Sequence, residues 1–186
     1  MEKILTQEYF SGKNTVKIAK NLLGKFLVRK YRGKIIAYMI IEVEAYDGFK
    51  DMASHAHHGK TERNKIMFGS AGHWYIYFTY GMHYMLNIVT GPKDYPAAIL
   101  IRSIKIARPE LSQKTANIVI NGPARLTKAL HIDKKINGSI ADKKSGLWLE
   151  DGGFKINKHQ IKSSARIGVD CAGPVWSKKK YRFYFN

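Results

Sequence analysis

The stretch Tyr75 to Val89, YIYFTYGMHYMLNIV, constrains the fold more than any other part of the chain. Trp74, Ile76 and Phe78 alternate with Tyr75, Tyr77 and Thr79, the period-2 pattern of a strand packed on both faces, and Tyr84 to Val89 forms a second such run. Gly81 lets the chain reverse between them, so the spacing predicts a β-hairpin whose tip is Tyr80-Gly81-Met82-His83. Such tips usually carry Asn, Asp or Ser. An exposed tyrosine in that place needs a partner.

The remaining segments extend the hairpin into a sheet. Lys25 to Lys30 and Lys34 to Ala45 read as strands joined at Tyr31-Arg32-Gly33, and Ala97 to Ile104 (AAILIRSI) as another. Thr15 to Leu23 reads as a short amphipathic helix with Val16, Ala19 and Leu22 or Leu23 on one face and Gly24 as its stop. Gly122 to His131 reads as a helix opened by Pro123, and Leu147 to Phe185 as short strands separated by turns. No internal repeat or composition break divides the 186 residues. These elements predict a mixed α/β (α+β) fold, one domain over 1–186, with a curved, mainly antiparallel sheet, surrounding helices and a protruding β-hairpin.

A formal net charge of +18 exceeds what solubility asks of a small domain and points to a polyanion, nucleic acid before anionic membrane. The apolar run Ile35 to Ile41 is too short to span a bilayer, and the N-terminus lacks the apolar core and small-residue cleavage site of a signal peptide. With one cysteine, Cys171, no internal disulfide is possible, so a cytoplasmic, reducing location is expected.

Chemistry concentrates around MIIEVEAYDG. Glu42 and Glu44 lie two residues apart in an apolar strand and face the same way, together with Tyr46. That face is either solvated or the floor of a cleft, where Glu44, near Tyr46 and His55, could act as a general base on water. Arg102 in AILIRSI is either a structural ion-pair partner or the partner of that carboxylate, and Asn87 is either satisfied by backbone or turned to a ligand. His55, His57 and His58 lack a companion Cys pair or HExxH spacing, so no metal is expected; Lys60, Arg63 and Lys65 suit phosphates better.

In order and spacing EVEAY, ASH, RN, MF, YIYFTYGM, LNI, LIR, NGP and ARIGV resemble the alkyladenine (3-methyladenine) DNA glycosylase family, of the compact bacterial type, over nearly the whole chain. The resemblance implies a monofunctional base-excision repair enzyme. Such an enzyme, a monomer acting on double-stranded DNA without metal or cofactor, hydrolyses the N-glycosidic bond of alkylated purines, and of some deaminated or etheno purines, to leave an abasic site. By the same resemblance Tyr80 fills the space left by a flipped nucleotide and Met82 packs on the neighbouring base. Tyr46, His55 and Tyr77 then hold the flipped base, with Ala53 beside them, and Asn87 crowds the exocyclic amine of guanine. Glu44, Arg102 and the carbonyl of Val169 hold the attacking water. Electron-rich rings would favour a cationic alkylpurine by ~0.5–2 kcal/mol, and neutral lesions, whose base needs a proton to leave, are expected to be the slower substrates. After ARIGV the chain departs from the family's pattern at Asp170-Cys171-Ala172-Gly173.

Two rivals remain at this level. A non-catalytic nucleic-acid-binding module would explain the charge and exposed aromatics, but a carboxylate pair in its groove would weaken binding. A lyase would use a lysine Schiff base, yet no lysine lies in the apolar EVEAY neighbourhood that would lower its pKa.

Overall fold

The computed structural model describes residues 3–106 and 118–185. Ten strands form one sheet in which every pairing is antiparallel. In chain order they are β1 (Lys3–Ile4), β2 (Phe26–Tyr31), β3 (Lys34–Asp47), β4 (Trp74–Thr79), β5 (His83–Val89), β6 (Ala97–Ile106), β7 (Val119–Asn121), β8 (Leu147–Asp151), β9 (Lys162–Ser164) and β10 (Arg182–Tyr184). Among the described residues four α-helices accompany them: α1 (Gln7–Phe10), α2 (Thr15–Leu22), α3 (Pro123–Ala129) and α4 (Gly173–Trp176). The predicted antiparallel α+β fold is the one observed.

The main path of the sheet runs β1-β8-β2-β3-β6-β5-β4, and its two long central strands each change partners along one edge. The first half of β3 pairs with β2 and residues 42–44 pair with β10; β6 pairs with β5 at 98–100 and with β7 at 103–105. At the crossover the β3–β6 ladder is irregular: Ile40 faces Ile104, Glu42 faces Ser103 and Val43 faces Ile101, so that Ile41 and Arg102 have no partner across the ladder.

α2 starts at Asn14, whose side chain accepts a hydrogen bond from the Lys17 amide, and stops before Gly24, which adopts φ 77°. It buries Thr15, Ile18, Ala19 and Leu22, so the predicted face is displaced toward Ile18 and away from the half-buried Val16. This face joins Phe10, Leu27, Ile40, Val43, Leu86, Ile88, Ile99 and Phe183 in the main core, with Leu126 from α3 and Leu130 just after it. A smaller cluster, Ala56, Met67, Phe68, Tyr75, Val89 and Ala98, lies beneath the loop that follows β3.

That loop is fixed by a buried ion pair. Arg166 donates from Nη1 and Nη2 to Asp51 (2.5 and 2.8 Å), both side chains being fully buried, and Nη1 also donates to the Ala45 carbonyl at 2.8 Å. Asp51 in turn accepts from the amides of Asp47 and Ala53. Three segments are thereby tied at one point: the end of β3, the loop carrying Ala53 to His55, and the strand-free run 165–169. Asp51→Ala strands the guanidinium in the interior and is expected to cost ~3–5 kcal/mol. The measurement is a lower urea midpoint at unchanged slope.

Candidate active site

A cavity of about 260 Å³ opens between the β4–β5 hairpin, the loop after β3 and the run Ile167-Gly168-Val169. Its lining includes Tyr46, Ala53, His55, Tyr77, Tyr80, Asn87, Arg102 and Val169, so the chain brings together eight residues from five separate segments. Met67, Tyr75 and Ala98 of the smaller apolar cluster form part of the same wall.

Glu44 stands behind this wall, wholly buried, and the groups that touch it are themselves lining residues. Its Oε2 accepts from the Tyr46 hydroxyl at 3.0 Å and from Arg102 Nη1 at 3.2 Å; its Oε1 accepts from the Ile167 amide at 2.8 Å. Three donors leave one of the roughly four acceptor positions of a carboxylate unused. Burial pushes the Glu44 pKa up, and Arg102, the Ile167 amide, Tyr46 and the charge of Arg166 pull it back only in part. The Tyr46 phenol is held protonated, its pKa raised well above the usual value by burial and by Glu44, so it serves as a donor.

Glu42 has a different part. Its Oε1 accepts from Arg102 Nε at 3.2 Å and Arg182 Nε at 2.6 Å, and its Oε2 accepts from the Ser103 hydroxyl. Burial opposes its charge, but the hydrogen bonds from Ser103 and Arg182 and the charges of Arg182 and Arg102 keep its carboxyl below the usual range. Arg102 therefore bridges both carboxylates, and the alternatives of structural pairing and pairing with Glu44 are both realised. It is the residue at the irregular point of the ladder, where β6 has neither β5 nor β7 beside it.

The aromatic walls are already packed against each other. His55 meets Tyr77 edge to face with centroids 4.5 Å apart, and its Nδ1 lies 3.0 Å from the Tyr75 hydroxyl. More than a third of His55 is open to solvent through the cavity, yet close packing and the charge of Arg63 lower its pKa to about 4. The imidazole is thus neutral at neutral pH. Asn87 is buried; its Nδ2 donates to the carbonyls of Tyr75 and Met85, which fixes the amide while the residue lines the cavity.

The hairpin tip projects as its sequence predicts. Tyr80 and Gly81 both take positive φ, 51° and 65°, and the Met82 amide donates to the Thr79 carbonyl, a turn of the type that matches strand twist. Tyr80 is 79% exposed and Met82 68%. A tyrosine in the left-handed region carries ~1–3 kcal/mol of backbone strain, tolerated here at an exposed hairpin tip.

Of the three basic residues expected at phosphates, Lys60 and Lys65 lie on the exposed loop before β4, Lys65 beside Glu62 at 2.7 Å. Arg63 reaches across to β4: its Nη2 donates to the Phe78 carbonyl at 3.1 Å and its guanidinium carbon lies 5.3 Å from the Tyr77 ring centroid. Sequence reasoning missed Ile167, Tyr75 and the Asp51–Arg166 pair. Ile167 contributes a backbone amide, for which side-chain chemistry gives no signal, whereas the charge in the apolar run ARIGV was a legible sign of a buried partner. Among the described residues no group of three metal-ligating side chains comes together, and no helix is long and apolar enough to cross a membrane.

The sequence profile of the methylpurine-DNA glycosylase family (MPG) matches residues 9–186. Similar curated proteins carry the provisional name 3-methyladenine DNA glycosylase. One from Carboxydothermus hydrogenoformans is 37% identical, across 97% of this chain and 95% of that protein. Others from Francisella tularensis (41%, across 91% and 89%) and Bdellovibrio bacteriovorus (39%, across 97% and 94%) agree. On matches that span nearly all of both partners, the chain belongs to the methylpurine-DNA glycosylase family.

Proposed function

We propose that the protein is a monofunctional DNA glycosylase that draws an alkylated purine out of duplex DNA and hydrolyses its N-glycosidic bond. One observation carries this reading: a buried carboxylate, Glu44, held by Arg102, Tyr46 and the Ile167 amide directly behind an aromatic cavity whose rim carries the exposed Tyr80. Among the described residues no lysine lines the cavity, which favours water over an amine as nucleophile.

In this mechanism Tyr46, His55 and Tyr77 enclose the purine, with Ala53 beside them, and Asn87 narrows the site where an exocyclic amine would lie. Water, held by Glu44, Arg102 and the Val169 carbonyl, attacks C1′ as the C1′–N bond breaks. The base departs with the bonding electron pair, the water's proton passes to Glu44, and the oxocarbenium-like sugar is stabilised by the carboxylate. A cationic alkylpurine leaves as a neutral base; a deaminated or etheno purine must also gain a proton. Tyr80 and Met82 occupy the gap in the duplex, and Lys60, Arg63 and Lys65 bring positive charge to its phosphates. The protein acts as a monomer and needs no metal.

The direct test is a duplex holding one alkylated purine, incubated with protein and then with alkali. Strand cleavage only after alkali reports an abasic site; cleavage without alkali indicates a lyase, and no cleavage a binding module. Glu44→Gln keeps the shape of the carboxylate but cannot take the proton, so base release is expected to fall by a factor of ~100–10,000 while lesion binding persists. Single-turnover rates and gel-shift affinities measure the two separately.

Because burial raises the Glu44 pKa and only the ionised form accepts a proton, the single-turnover rate should rise with pH through a limb above the ordinary glutamate range. Arg102→Gln removes the largest charge that holds Glu44 ionised, so that limb moves to higher pH. An unmoved limb would assign it to another group.

Tyr80→Ser tests the wedge. The flipped population falls while the buried Glu44 arrangement is untouched, so the mutant should recover more of the wild-type rate on a lesion opposite a mismatch, where unstacking costs less. Equal losses on matched and mismatched duplexes, with a large fall in melting temperature, would return Tyr80 to a structural role.

A further inference from the structure

Two of the rings that line the cavity have a guanidinium against them. The Arg166 guanidinium carbon lies 4.7 Å from the centroid of Tyr46, and that of Arg63 lies 5.3 Å from the centroid of Tyr77. Neither arginine lines the cavity, so both charges meet their rings from outside it. An aromatic ring attracts a cation through the electron density of its faces, and a ring already engaged by one cation offers less to a second.

The charges around the cavity then divide unequally. Arg166 is matched by Asp51, and Arg102 with Arg182 is matched by Glu42 and Glu44. Glu62, the acidic residue next to Arg63 in the chain, is engaged by Lys65. Among the described residues Arg63 forms no ion pair, and its fixing hydrogen bond goes to a neutral carbonyl. At Tyr77 the charge of Glu44 acts first, but Glu44 is shared with Arg102, which leaves the solvent-exposed Arg63 as the guanidinium at the aromatic wall without a carboxylate among the described residues.

We infer that Arg63 weakens the hold of the base pocket on cationic purines at Tyr77 and so shifts selection toward neutral ones. This rests on the glycosylase reading and moderates one expectation drawn from the rings alone. His55 supplies an internal comparison: it is a planar aromatic group that can carry one positive charge, it sits against Tyr77, and its cationic form is disfavoured there by burial first and by Arg63 second. A methylated purine cation stacked on Tyr77 meets the same Arg63 charge, together with the Glu44 carboxylate that acts there in the opposite sense. The neutral alternative meets no such opposition, so shape and stacking decide its binding.

The test compares two purines alike in shape and different in charge, each placed in a duplex: 3-methyladenine as its 2′-fluoro nucleotide, a cation resistant to hydrolysis, and neutral 3-methyl-3-deazaadenine. Affinities are measured for the full chain and for Arg63→Gln and Arg63→Lys. The ratio of neutral to cationic affinity is expected to fall roughly three- to tenfold in Arg63→Gln and to stay near the wild-type value in Arg63→Lys. An unchanged ratio overturns the inference. So does an equal loss on both lesions and on undamaged duplex, which would make Arg63 a phosphate contact alone. If the wild-type chain binds neither lesion better than undamaged duplex and releases no base, the glycosylase reading itself fails, a result separable from either of the others.

Discussion

The Asp51–Arg166 pair is the constraint on which the site's geometry depends. Its cost is severe in principle, since two charges leave water and, among the described residues, Arg166 Nε finds no partner. What offsets that cost is the number of bonds made at one place: two to Asp51, one to the Ala45 carbonyl, and the Asp47 and Ala53 amides returned to the carboxylate. Residue 167 follows directly, and its amide reaches Glu44. A loop that would otherwise choose among many conformations is thereby set against the strand that carries Glu44.

Around that anchor, each charged residue gives another its orientation. Tyr46 and Arg102 hold Glu44 by one oxygen, Ile167 holds the other, and Glu42 with Arg182 and Ser103 keeps Arg102 in place. This explains the pair of carboxylates in EVEAY without asking the same work of each. The one with lowered pKa is a fixed counter-charge, and the one with raised pKa is able to take up a proton.

Local pattern made much of this legible. The alternation around Tyr80-Gly81 specified the hairpin and its projecting tip, and Glu42, Glu44 and Tyr46 on one strand face showed which way the chemistry points. The face of α2 was misplaced by a residue because Val16, Ile18 and Ala19 all lie within one turn and only packing against the sheet selects among them. The Ile167 amide and the Tyr75–His55 contact were not legible, because they join segments whose proximity is decided by the whole sheet. Arg63 was readable as a base for phosphates, but its position on Tyr77 depends on where the hairpin passes.

The irregularity between β3 and β6 has a consequence for how such a chain can vary. Ile40 opposite Ile104 and Val43 opposite Ile101 belong to the same register, because the unpaired Ile41 on one strand is balanced by the unpaired Arg102 on the other. Deleting a residue from one strand alone would shift the pairing by one and turn the side chains beyond it to the wrong face of the sheet. Only a matching deletion in the other strand would restore the alternation, and there the residue at stake is the arginine that spans both carboxylates. Length changes in these two strands are therefore permitted only in pairs, and the pair that sheet geometry would allow is one that the charge balance of the site forbids.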